Sequence, residues 1–229
     1  MIMEETVQNQ ELQTKKPSLI GMITNPVEQF TRMKEKPTFI AALIIVTIAM
    51  SIMTAMITYF TMKSTPDFTG TSAEEQSAML VFGVVGTAIV GLFVTPIIFL
   101  ITSGFYKLCF MVMGNDTSFK HIFAMVVNVA VISVLGLVVN GILAAIIGGE
   151  VTSYTSLGSL MDQGTFLGGF LSSFEFFNIW RLIVLGIGFY VVGGLSKNKI
   201  IVLLSIVFIL SALLGGVGGF FTGYFDTFQ

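Results

Sequence analysis

The chain has 229 residues, 54% of them hydrophobic and only 10% charged, with a mean hydropathy of +0.91. A soluble domain carries about 25% charged residues to meet water, so this composition excludes one and points to an integral membrane protein. A net charge of −2 argues against nucleic acid as a partner, which needs a concentrated basic face, and one cysteine excludes an internal disulfide or a Cys-rich metal site.

Residues 1–16 are rich in Glu, Gln, Thr and Lys, lack an apolar period and are expected to be disordered. A helix is predicted over 25–36, because Asn25 suits the cap, Pro26 the first helical position and Glu28 the third. Val27, Phe30 and Met33 recur at three-residue spacing among the basic residues Arg32, Lys34 and Lys36, and Pro37 stops the helix. Such a helix lies in the headgroup layer. It serves either as a lead-in that anchors the first span or as a docking element for a cytoplasmic partner, through Val27, Phe30, Arg32, Met33 and Lys34.

Beyond Pro37 the charges thin out into gaps of membrane-span length. They run from Thr38 to Tyr59, Ala78 to Tyr106, Ile122 to Gly149, Phe176 to Ser196 (interrupted by Arg181) and Ile200 to Phe225. A crossing helix needs about 20 apolar residues. Five spans are therefore predicted, at about 38–60, 79–105, 121–148, 176–195 and 200–222, forming a membrane domain over 38–225 behind a cytoplasmic arm of 1–37. The fold class is all-α: a polytopic membrane helix bundle of five transmembrane helices, preceded by a short amphipathic interfacial helix. No cleavable signal peptide is apparent, so the first span is expected to stay in the mature protein.

Basic residues set the orientation. Lys15, Lys16, Arg32, Lys34, Lys36, Lys107, Lys120, Lys197 and Lys199 fall in segments on one side. Lys63 alone falls on the other, with Asp67, Glu74, Glu75, Glu150, Asp162, Glu175 and Asp226. The amino terminus is thus expected in the cytoplasm and the carboxyl terminus outside. Between Glu150 and Glu175 the outer loop is long, poor in charge and rich in Leu, Phe, Gly and Ser. It is expected to pack on the outer bilayer surface or on the spans; contact with an extracellular partner or ligand is the alternative.

Several polar groups fall inside the apolar segments. An arginine at a helix centre costs roughly 2.5–3.5 kcal/mol, and Arg181 shares a helix face with Asn178 and Glu175. It is expected to snorkel outward toward Glu175, with Trp180 at headgroup depth; a substrate or proton pathway is the sharper alternative. Asn128 and Asn140 are expected to bond to neighbouring helices, and Pro96 to kink the second span. Ser211, Gly215, Gly219 and Gly223 recur every four residues, a smooth stripe that lets a helix of this chain or of a second copy approach closely.

No constellation for catalysis is readable. One histidine, His121, and one cysteine, Cys109, cannot build a triad or a metal site, Glu74-Glu75 has no His partners, and no Gly-rich loop is followed by Lys-Ser/Thr. No catalytic residue, metal or cofactor is expected.

The chain resembles the Yip (Ypt-interacting protein) domain family from about Ile20 to Phe221. The resemblance is carried by Asn25-Pro26 with Phe30, by Phe119-Lys120-His121-Ile122, by Phe177-Asn178-Ile179-Trp180-Arg181-Leu182 with Gly186 and Gly188, and by the Leu195-Ser196-Lys197-Asn198-Lys199 turn. Eukaryotic members associate with Rab-type GTPases and vesicle traffic; that role is not carried over, because the long cytoplasmic amino-terminal region of those proteins is short here. The chain is closer to bacterial members. That resemblance implies a non-enzymatic accessory factor that helps assemble an ABC-type exporter of the macrolide-efflux class from its permease, ATPase and membrane-fusion-like subunits. It also implies protection against a toxic peptide. A small transporter or channel in its own right is the alternative function. The lipid bilayer is the expected surrounding, and self-association an alternative use of the glycine stripe.

Overall fold

The computed structural model describes residues 16–64, 72–147 and 153–226. The disorder expected of residues 1–15 lies outside them, as do Lys15, Asp67 and Glu150. Among the described residues the fold is helical, with one isolated bridge between Ser156 and Glu175.

Helix α1 (Leu19–Thr24) is absent from the sequence expectations. Ser18 caps it by accepting from Gly21 N, and the Ser18 amide donates to Gln29 Oε1 at 2.8 Å, tying it to α2. Helix α2 (Pro26–Glu35) starts as the sequence indicates, with Asn25 as cap, Pro26 in its first turn and Glu28 accepting from Asn25 Nδ2 at 2.9 Å. Its apolar face turns into the protein: Phe30 and Met33 are fully buried and pack with Met22 into the core.

Helix α3 (Ile40–Ser64) and α4 (Ala73–Val112) lie against each other, the Thr58 hydroxyl donating to that of Thr87 at 3.4 Å. Ser72 and Glu75 form a reciprocal capping box at the start of α4. Its 40 residues reach about 60 Å, twice the hydrocarbon thickness, and the helix runs on through Pro96.

The third apolar segment is two helices, α5 (Phe119–Val129) and α6 (Val131–Ile147). Only Ala130 separates them, and helical bonding crosses it: Ala130 N donates to Val126 O and Val134 N to Ala130 O. The fourth is α8 (Phe176–Val191), preceded by a 3₁₀ turn (Leu157–Leu160) and α7 (Phe166–Ser172). The fifth is α9 (Lys197–Asp226). Among the described residues, four stretches are long and apolar enough to cross a membrane: Ile40–Lys63, Ala73–Val112, Phe119–Ile147 and Lys197–Phe225. Phe176–Val191 is shorter.

The core gathers around α5, which is buried on all sides from Ile122 to Val129 and touches α1, α2, α3, α4 and α8. Within the most apolar window of each segment, 61% of α5–α6 is buried against 6% of α4 and 22% of α9. Helices α4 and α9 therefore turn most of their surface outward, toward lipid. Tyr106 and Phe110 of α4 meet Phe189 of α8 edge to face at 4.9 and 5.0 Å. The neighbouring turns are latched by Asn115 Nδ2 donating to Gly193 O at 2.6 Å and Lys199 Nζ to Met113 O at 2.7 Å. Gly114 and Gly194 take positive φ (71° and 64°) just past the ends of α4 and α8, a conformation that glycine adopts without steric cost.

Candidate functional site

Where α7 ends and α8 begins, polar side chains from three separate stretches form one bonded chain. Asn140 on α6 donates from Nδ2 to the Gly136 carbonyl at 2.9 Å, and its Oδ1 accepts the Thr155 amide at 3.0 Å. The Thr155 hydroxyl donates to Glu175 Oε1 at 2.5 Å. Glu175 is the cap of α8, its other oxygen accepting the Asn178 amide at 2.6 Å. Asn178 donates to Ser173 O at 3.0 Å and accepts from Arg181 Nη2 at 2.8 Å. Backbone bonds pin the same place, with Phe176 N donating to Thr155 O and Leu157 N to Phe174 O.

Each link satisfies a group whose isolation in an apolar interior is costly. Arg181 reaches back one turn toward the start of α8, where Asn178 stands between it and Glu175 and relays the contact. Trp180 packs in an aromatic group with Phe176 and Phe177, at 5.9 and 6.2 Å. Thr155 is the member that sequence reasoning missed. It lies in an aperiodic loop 15 residues from Asn140 and 20 from Glu175, and no local spacing marks it. The polar chain borders a cavity of about 240 Å³ lined by Ser133, Asn140, Ser153, Glu175 and Asn178 among others.

Asn128 belongs elsewhere. It is 2% exposed and donates to Thr38 O at 3.1 Å and Ala124 O at 2.8 Å, tying α5 to the residue pair before α3. The glycine stripe faces its own chain: a Cβ on Gly215 would lie 2.7 Å from the Gly169 carbonyl, one on Gly219 would overlap Thr165 O, and one on Gly223 Gly164 O. Ser211 falls outside this contact; it is exposed and donates to Phe208 O at 2.8 Å. The partner-docking expectation for α2 needs correction. Phe30 and Met33 are consumed by the core and Arg32 pairs with Glu28, leaving Val27 and Lys34 exposed. The reason is the wide apolar flank of α5 and α8, which buries the face that periodicity alone leaves without an owner. Among the described residues, no group of His, Cys, Asp and Glu is placed to hold a metal ion.

The Yip1 domain model matches residues 20–218. The chain belongs to the Yip1 domain family. It is also similar to the membrane protein YknW of Bacillus subtilis (strain 168), 36% identical over 210 residues that cover 86% of this chain and 87% of YknW. No solved structure matches. The Yip1 match takes in α2, the whole polar chain from Asn140 to Arg181 and the stripe as far as Gly215. Gly219 and Gly223 lie beyond it. As a Yip1 family member with four span-length apolar stretches among the described residues, the chain is a multi-pass membrane protein in contact with lipid.

Proposed function

We propose that this chain is a non-enzymatic accessory factor that assembles an ABC-type exporter of the macrolide-efflux class, bringing permease, ATPase and membrane-fusion-like subunits together. Its role contributes to protection against a toxic peptide. The resemblance to bacterial Yip proteins supports this reading, and the observation that carries it is α4. That helix has only 6% of its most apolar window fully buried, and its side away from α3 makes a long rail for the helices of a membrane partner. The proposed topology has five crossings over 38–225, with the arm of 1–37 in the cytoplasm and the carboxyl terminus outside. Helix α8, at 16 residues, reaches only about 24 Å against roughly 30 Å of hydrocarbon. Stacked on its outer end, α7 packs along α9 and supplies the missing length. Crosslinking in native membranes followed by affinity purification and mass spectrometry tests the assembly role. Exporter subunits should be recovered in proportion to the bait; their absence overturns it.

A transporter or channel is the second reading, favoured by the cavity beside Asn140, Glu175 and Asn178. Proteoliposomes carrying the purified chain should then show solute or proton flux that Glu175→Gln abolishes. Equal leakage with and without the chain removes this reading.

A further inference from the structure

Helix α1, the opening turn of α3 and the start of α5 enclose a cavity of about 910 Å³ with two kinds of wall. Three lysines line it, Lys16, Lys36 and Lys120, and among the described residues no acidic side chain does. Each is held there by local structure. The Ser18 amide on Gln29 fixes the segment that starts at Lys16, Lys36 caps the end of α2, and Lys120 is in the first turn of α5, behind its Ser118 cap. Thr38 to Ala42 also line the cavity, which places the first turn of α3 beside the lysines, and a helix start favours phosphate. The remaining wall is apolar. Ile40, Ile44 and Ile45 continue it along the outer side of α3, where they are 67%, 54% and 56% exposed.

We propose that this cavity binds one anionic phospholipid of the leaflet that the lysines face. Its phosphate sits among Lys16, Lys36, Lys120 and the start of α3, and its acyl chains run along Ile40, Ile44 and Ile45. The two-part wall selects this occupant. A free phosphate would leave the apolar side unfilled, whereas a zwitterionic lipid brings its own cation against three lysines. The apolar side is continuous with the lipid-facing surface of α3, so the ligand enters laterally from the bilayer. The proposal stands on this cavity and is independent of any exporter.

Native mass spectrometry of the full-length protein in detergent tests it, with phosphatidylglycerol, phosphatidylcholine or inorganic phosphate titrated separately. One phosphatidylglycerol should be retained at a concentration at least about tenfold below that needed for phosphatidylcholine. Binding should weaken about fivefold for each of Lys16→Gln, Lys36→Gln and Lys120→Gln, while Lys197→Gln at the same end of the bundle has no effect. Melting in detergent checks that each variant folds. Equal retention of the two lipids overturns the proposal. So does unchanged retention in the three variants, an equal loss in Lys197→Gln, or displacement of the lipid by millimolar inorganic phosphate, which would identify a soluble ligand.

Discussion

Thr155 shows how one hydroxyl can decide whether two half-buried polar groups are stabilising or costly. It donates to Glu175 while its backbone amide serves Asn140, so the loop, α6 and the cap of α8 share one set of bonds. Thr155→Val keeps the shape and removes the hydroxyl. Leaving the carboxylate one partner short should cost about 1–3 kcal/mol, read as a lower unfolding temperature in detergent. Asn140→Leu removes the other end. If the bridge is real, Thr155→Val costs less in the Asn140→Leu background, and a double-mutant cycle gives a coupling above about 0.5 kcal/mol. Strict additivity would show that the two ends are independent. At this scale the sequence is half legible. Glu175, Asn178 and Arg181 are joined by helix spacing and group on that basis, whereas Asn140 and Thr155 join them only through a loop closure that no periodicity encodes.

Among the elements, α7 and the glycine stripe of α9 give the sharpest contrast between a pattern and its partner. The four-residue repeat announces close approach, and the structure supplies the owner of the other side: the backbone of Gly164, Thr165 and Gly169. Gly219→Leu must push α7 off α9 and should lower the detergent melting temperature by several degrees. The control is Gly218→Leu, where a Cβ meets nothing within 4 Å and the better helix propensity of Leu makes the change neutral or mildly stabilising. Equal melting of the two variants would mean that the stripe does not pack. Helix α2 makes the same point. Its caps and apolar period are readable from residues 25–36, but not that Phe30 is wholly enclosed. Phe30→Ala should therefore destabilise by about 3–5 kcal/mol. The exposed Lys34→Ala should stay within about 0.5 kcal/mol. An α2 that merely rested on lipid would give small changes for both. The 40-residue reach of α4 is also hidden, because a charge-free gap marks the hydrocarbon portion of a helix and not where its hydrogen bonding ends.

For the whole molecule, the distribution of lysine and arginine is the most readable signal and the length of α8 the least. Only α8 among the five apolar segments is too short to traverse about 30 Å by itself, and the bonded break at Glu175 is what shortens it. The position of the turn after α8 therefore reports on the entire topology. Between Ala73 and Asn198 lie α4, the α5–α6 pair and α8. Three crossings put these residues in opposite compartments; two, with α8 lying on one side, put them in the same one. With Cys109 replaced by Ser, Ala73→Cys and Asn198→Cys each provide a single exposed thiol. A membrane-impermeant maleimide added to intact cells should label Ala73→Cys at once and Asn198→Cys only after permeabilisation. Labelling of both from outside would reduce the crossings to four and move the turn containing Lys197 and Lys199 outward. It would also bring the carboxyl terminus back into the cytoplasm, because α9 would then run inward from that turn. The lysine-lined cavity between α1 and α5 would keep its place under either outcome, since it lies before the crossing in dispute.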